Sequence, residues 1–83
     1  MQDKEIVGLD EAQRTAERFL RGRLKGLKDI SIDKTKLSQV GEIIVYDVEG
    51  IATIGGGLLS KGTERSFKVQ VSAKDATIVG YEA

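Results

Sequence analysis

Arg65-Ser66-Phe67-Lys68-Val69-Gln70-Val71-Ser72 alternates apolar and polar side chains, breaks at Ala73-Lys74-Asp75, and resumes as Ala76-Thr77-Ile78-Val79-Gly80-Tyr81-Glu82. Alternation sends every second side chain to one face of an extended chain, the pattern of a strand with one buried face. Two such runs around a short polar break read as a β-hairpin. Working upstream, Ile43 to Ile54 is the segment densest in β-branched residues and reads as another strand. Gly50 interrupts it, marking a bulge or the close approach of another backbone. Before it, Ile30 and Ile32 alternate with Ser31 and Asp33 in a first strand that extends toward Leu37, and Val40-Gly41-Glu42 supplies a turn. Gly55 to Gly62 is the loop that leads into the closing hairpin.

Ahead of the strands the period changes. Ala12, Ala16, Phe19, Leu20, Leu24 and Leu27 recur at spacings of three and four or their multiples, which is one apolar face of a helix. Asp10 is placed to cap its first amides, with Gln13 three residues on as a capping box requires. Gly22 and Gly26 each weaken the second half by about 1 kcal/mol relative to Ala, so the helix is expected from Asp10 to about Arg21. Arg23 would fall within the apolar face at 3.6 residues per turn. The expectation is an α+β fold: one N-terminal amphipathic helix packed on an antiparallel meander of about four strands. Residues 1–8 read as a tail and 9–83 as a single domain.

An 83-residue chain buries only about 60–65% of the surface that its unfolded form exposes, so one helix on one sheet is as much core as it can build. Apolar residues make up 40% and charged residues 31%, the balance of a globular chain rather than a disordered one. No apolar run is long enough to span a membrane, so no membrane partner is expected. Met1-Gln2-Asp3-Lys4-Glu5 shows no basic region leading into an apolar stretch. The expectation is therefore a cytoplasmic protein as encoded, or an exported one if a leader has been trimmed.

The residues that are missing narrow the chemistry. The chain contains no Cys and no His. That removes disulfides, thiolate nucleophiles, the commonest general base and the commonest transition-metal ligand. A Ser-His-Asp triad and a Cys/His zinc site are both impossible within one chain. No cofactor, no metal and no enzymatic activity are expected.

Net charge is zero, from 13 basic and 13 acidic residues, but it is unevenly placed: −3 over residues 1–13, +5 over 14–36 and −2 over 37–83. Within the basic middle, Arg14, Arg18, Arg21, Lys25 and Lys28 recur at spacings of four, three, four and three. On a continuous helix they would form one stripe opposite the apolar face, able to follow a phosphate backbone. An ordinary solvated helix face explains them better, since Glu17 lies beside the stripe, Gly22 and Gly26 would end the helix early, and aromatic residues for base stacking are scarce there.

Three further groups are candidates. The glycine-rich loop has the glycine spacing of a phosphate-cradling P-loop in Gly57 and Gly62, but Lys61 precedes the second glycine and a strand follows. A plain hairpin loop fits better. Its Leu58 and Leu59 are either tucked under the sheet or exposed as a contact patch. Asp47 and Glu49 point to the same strand face, as an acid–base pair would, but an outward strand face is polar in any case. Tyr46 and Tyr81 fall on strands, where tyrosine serves both interfaces and half-buried sheet positions.

Leu9-Asp10-Glu11-Ala12 followed by Ala16, the strand Ile44-Val45-Tyr46-Asp47-Val48, and the closing Val69 to Glu82 together resemble the PepSY domain. Its helix opens on an acidic residue and alanines, its central strand carries Y-x-V, and its last hairpin reads V-x-V-D-A-x-T-G-x-V. Two departures stand in this chain: Ser72 in place of the family's Asp, and Lys74-Asp75-Ala76 in place of its Thr-Gly turn. The resemblance implies a cystatin-like helix-on-sheet fold and a non-catalytic role in binding or regulating a protein. The expected function is thus a small binding module offering a sheet edge or face to a protein or peptide, or to a second copy as a homodimer. The alternative is nucleic-acid binding through the basic helix face.

Overall fold

The computed structural model describes residues 6–56 and 62–83. It is an α+β fold: one helix, α1 (Leu9–Arg23), followed by β1 (Leu27–Val40), β2 (Ile43–Ile54), β3 (Thr63–Ser72) and β4 (Ile78–Glu82). The four strands form one antiparallel sheet in chain order, β1-β2-β3-β4. The expected helix on a meander is what the chain adopts.

The helix lays Ala12, Ala16 and Leu20, each four residues apart, onto the sheet, and all three are fully buried. Opposite them lie Tyr46, Val48 and Ala52 of β2 and Phe67, Val69 and Val71 of β3. Alanines at the first two positions let the helix sit close to the strands, while Leu20 fills the deeper space. Burying one such leucine is worth about 1.5–3 kcal/mol. Phe19 and Leu24 pack at the margin.

Two local expectations are corrected. The helix begins one residue earlier than Asp10, with Gly8 at the cap and no side-chain cap bond. Asp10 is therefore inside the first turn, where its charge complements the helix dipole. Gln13 reaches instead to Thr35 Oγ1 on β1 at 3.0 Å. At the other end Leu27 is a strand residue, not the last of the apolar helical face. The chain leaves the helix at Leu24 and turns at Gly26, whose φ of 74° suits glycine.

β1 runs from Leu27 to Val40, longer at both ends than the stretch from Ile30 toward Leu37 expected from the sequence. Bulges hide the extra length. Lys28 and Asp33 are unmatched in the pairing with β2, and Val79 is unmatched in the pairing of β4 with β3. Each extra residue shifts the alternation by one. Leu27 and Ile30, Ile32 and Thr35, and Ile78 and Tyr81 thereby share the helix-facing side at a spacing of three. Gly50 lies opposite Ile32 beside the Asp33 bulge, and a Cβ there would strike the Ser31 carbonyl oxygen. The glycine marks both a bulge and a close backbone approach.

The β3–β4 connection closes through Ser72. Its N–H donates to the Thr77 carbonyl at 2.7 Å, and its carbonyl accepts from the Ala76 N–H at 2.9 Å. Ala76 adopts a φ of 60°, the sole positive value outside glycine among the described residues.

The candidate binding end

Strand and helix geometry set up the most distinctive surface. Fourteen residues of β1 extend about 46 Å at 3.3 Å per residue, whereas the 15 residues of α1 cover about 22 Å at 1.5 Å per residue. The helix runs back along the β1–β2 ribbon from Thr35, bonded to Gln13, to the neighbourhood of Gly26, whose carbonyl accepts from the Gly55 N–H at 2.7 Å. Beyond the start of the helix the ribbon continues without cover. There Leu37 is 53% exposed, Ile44 48%, Ile43 47% and Val40 40%.

The other three exposed large hydrophobic residues among those described, Ile6, Leu9 and Val79, belong to the same end. Ile6 is held there by its neighbour Val7, whose N–H donates to the Ala73 carbonyl at 2.7 Å and whose carbonyl accepts from the Tyr46 hydroxyl at 2.8 Å. Val79 is turned out by its bulge. Ile6, Ile43, Ile44 and Val79 line an open groove of about 720 Å³, rimmed by Glu42, Ser72, Lys74, Asp75 and Thr77. Asp75 is fixed on that rim. Its carboxylate accepts from the Thr77 hydroxyl at 2.8 Å and from the Thr77 N–H at 3.3 Å. The hydroxyl bond, with help from the backbone amide, holds its pKa below the usual 3.8.

The basic stripe is broken by the end of the helix. Arg14, Arg18 and Arg21 stay exposed on α1, but Lys25 lies in the turn after it and Lys28 at the first bulge of β1. The continuous five-residue face expected of an unbroken helix does not form. Arg23, expected to intrude on the apolar face, stacks its guanidinium over the rings of Phe19 and Tyr81, 5.8 and 5.4 Å from their centroids. The two rings meet edge to face at 5.1 Å. The cation thus lies over π faces instead of in the core.

Asp47 and Glu49 do share the face of the sheet turned away from the helix. Glu49 stands in register with Lys34 and Lys68, and Lys68 with Glu82, a row of alternating charge across all four strands. Asp47 is buried between Lys36 and Gln70, and Gln70 Nε2 donates to it at 3.0 Å. Asp47 is held by Gln70, and Glu49 stands across from a lysine on each neighbouring strand, an arrangement that stabilises the sheet. Tyr46 is buried with its hydroxyl satisfied, and Tyr81 is half-buried against Phe19.

Leu58 and Leu59 lie outside the described residues. Of their loop, Gly55 and Gly56 have positive φ, and the strand β3 follows Gly62, not the helix that a P-loop requires. Among the described residues no three Asp or Glu side chains come together to hold a metal ion, and no helix is long and apolar enough to cross a membrane. No family model, no curated protein and no solved structure matches this chain.

Sequence reasoning passed over the apolar end because Leu37, Ile43 and Ile44 are ordinary strand residues by pattern. The signal that bore on it was the phase break between Ile32 and Leu37, which signals a strand longer than its simple alternation.

Proposed function

We propose that this chain is a non-catalytic binding module that seats a protein or peptide at the uncovered end of its sheet. The observation that carries this reading is the gathering at one end of all seven exposed large hydrophobic residues among those described. Scattered singly, such residues need no explanation, but gathered beside a groove they mark a contact surface. The absence of His and Cys from the chain supports a role other than catalysis. The edge strand β1 is less suited to pairing with another chain, because its two bulges and Lys28, Lys34 and Lys36 are devices that discourage edge association. The PepSY resemblance is in keeping with the same role. In its support, Ala76 stands where that family's hairpin has its glycine and adopts a glycine-like φ.

Selection of displayed random peptides on the purified protein tests the reading. Enriched peptides should lose binding to Ile43→Ser and keep it to Arg18→Glu. Failure to enrich any peptide, or peptides indifferent to Ile43→Ser, would overturn it. Salt-sensitive binding of duplex or single-stranded DNA, abolished by Arg18→Glu, would install the nucleic-acid alternative instead.

A further inference from the structure

The zero net charge of the chain conceals a separation along its length. At the groove, Glu42 and Asp75 sit on the two turns that bound the apolar floor, and among the described lining residues Lys74 is the one cation. Asp10 and Glu11 are exposed in the first helical turn at the same end. Arg21, Arg23 and Lys25 lie toward the other end, where the helix stops. Resting on the binding reading above, we infer that the groove takes a foreign polypeptide segment combining apolar side chains with Lys or Arg.

Charge and surface together select this occupant. Two copies joined end to end through the same groove would set Glu42 and Asp75 against their own equivalents, since a two-fold interface brings like patches together. Joining head to tail would bring Arg14, Arg18 and Arg21 to the carboxylates. That helix face, however, carries no exposed large hydrophobic residue among those described, so Ile43, Ile44 and Val79 would remain unfilled. A nucleic acid would bring phosphates to a rim that is already anionic. A segment with its own apolar anchors and flanking cations satisfies floor and rim at once. The groove volume, about 720 Å³, lies within the range of natural ligand sites, about 300–1,000 Å³.

The test uses isotope-labelled protein and two short synthetic peptides of equal leucine content, one alternating Leu with Lys and the other Leu with Glu. The Leu/Lys peptide should shift the amides of residues 42–44 and 74–79 and bind about tenfold more tightly than the Leu/Glu peptide, an advantage that shrinks as salt is raised. Glu42→Lys, a change at an exposed turn, should erase most of that preference. Equal binding of both peptides at these amides would overturn the charge assignment and leave the binding reading standing. No shift there with either peptide would overturn both. Concentration-dependent shifts at the same amides without peptide would place a second copy in the groove and likewise overturn the inference.

Discussion

The β1–β2 ribbon has two halves of similar sequence and opposite fate. Under the helix, Ile30 and Ile32 are half-buried, and Val48 and Ala52 are fully buried. Beyond the helix start, Leu37 and Ile44, on the same helix-facing side, are 53% and 48% exposed, while Val40 and Ile43 stand exposed on the opposite face. Composition does not separate the halves, for both are rich in isoleucine and valine. The difference is reach, since a helix gains less than half the length per residue that a strand does. Apolar alternation therefore encodes a face suited to burial, and burial itself depends on whether another element extends over it.

Removing the cover should break the contrast most strongly. Leu20→Ala opens a cavity between the helix and the covered half, and should cost about 2–5 kcal/mol in urea or thermal unfolding. Gly50→Ala tests how tightly that half is built. Its methyl would meet the Ser31 carbonyl oxygen, the Ile32 Cα at 2.9 Å and the Phe67 Cζ at 3.0 Å. A loss of about 1–3 kcal/mol is expected, with the β1–β2 amides shifting in NMR spectra.

Changes at the uncovered end should be smaller. Ala76→Gly relieves the left-handed conformation and should stabilise the fold by about 1 kcal/mol in thermal unfolding. Leu37→Ser should alter stability by no more than about 0.5 kcal/mol, whereas Ile32→Ser in the covered half should cost several times that. Equal losses for the two would dissolve the distinction between the halves. The smallest effect belongs to Asp75. Its pKa is lowered in the folded state, so the unfolded chain binds more protons in acid and stability rises with pH there. Its contribution is complete above its ordinary value of 3.8 and is lost as pH falls through the lowered value. Asp75→Asn should flatten that part of an acid unfolding curve, with its small loss of stability present at neutral pH and absent below the lowered value.

Much of the architecture was legible locally. Ile43–Ile54 is bounded in the fold as its composition indicates, and the closing hairpin forms where the alternation breaks. The helix was also evident, although its cap was misread because Gly8 and Asp10 both suit a helix start. The bulges were harder to see. Lys28, Asp33 and Val79 become extra residues only relative to a partner strand, and that pairing is not a property of either strand alone. The basic stripe failed for a similar reason: a spacing of three and four has meaning only while the helix lasts, and it ends at Arg23.

By itself the sequence determined the apolar face of the helix, the alternating strands, the order of the hairpins and the absence of His and Cys chemistry. These rest on side-chain periodicity and composition, which need no distant partner. Tertiary structure alone decided that the ribbon outruns its helix, that Val79 turns outward, and that apolar residues far apart in the chain, from Ile6 to Val79, gather at one end with the carboxylates of Glu42 and Asp75. Those outcomes depend on relative length and register between elements, quantities that come into being only when the elements pack.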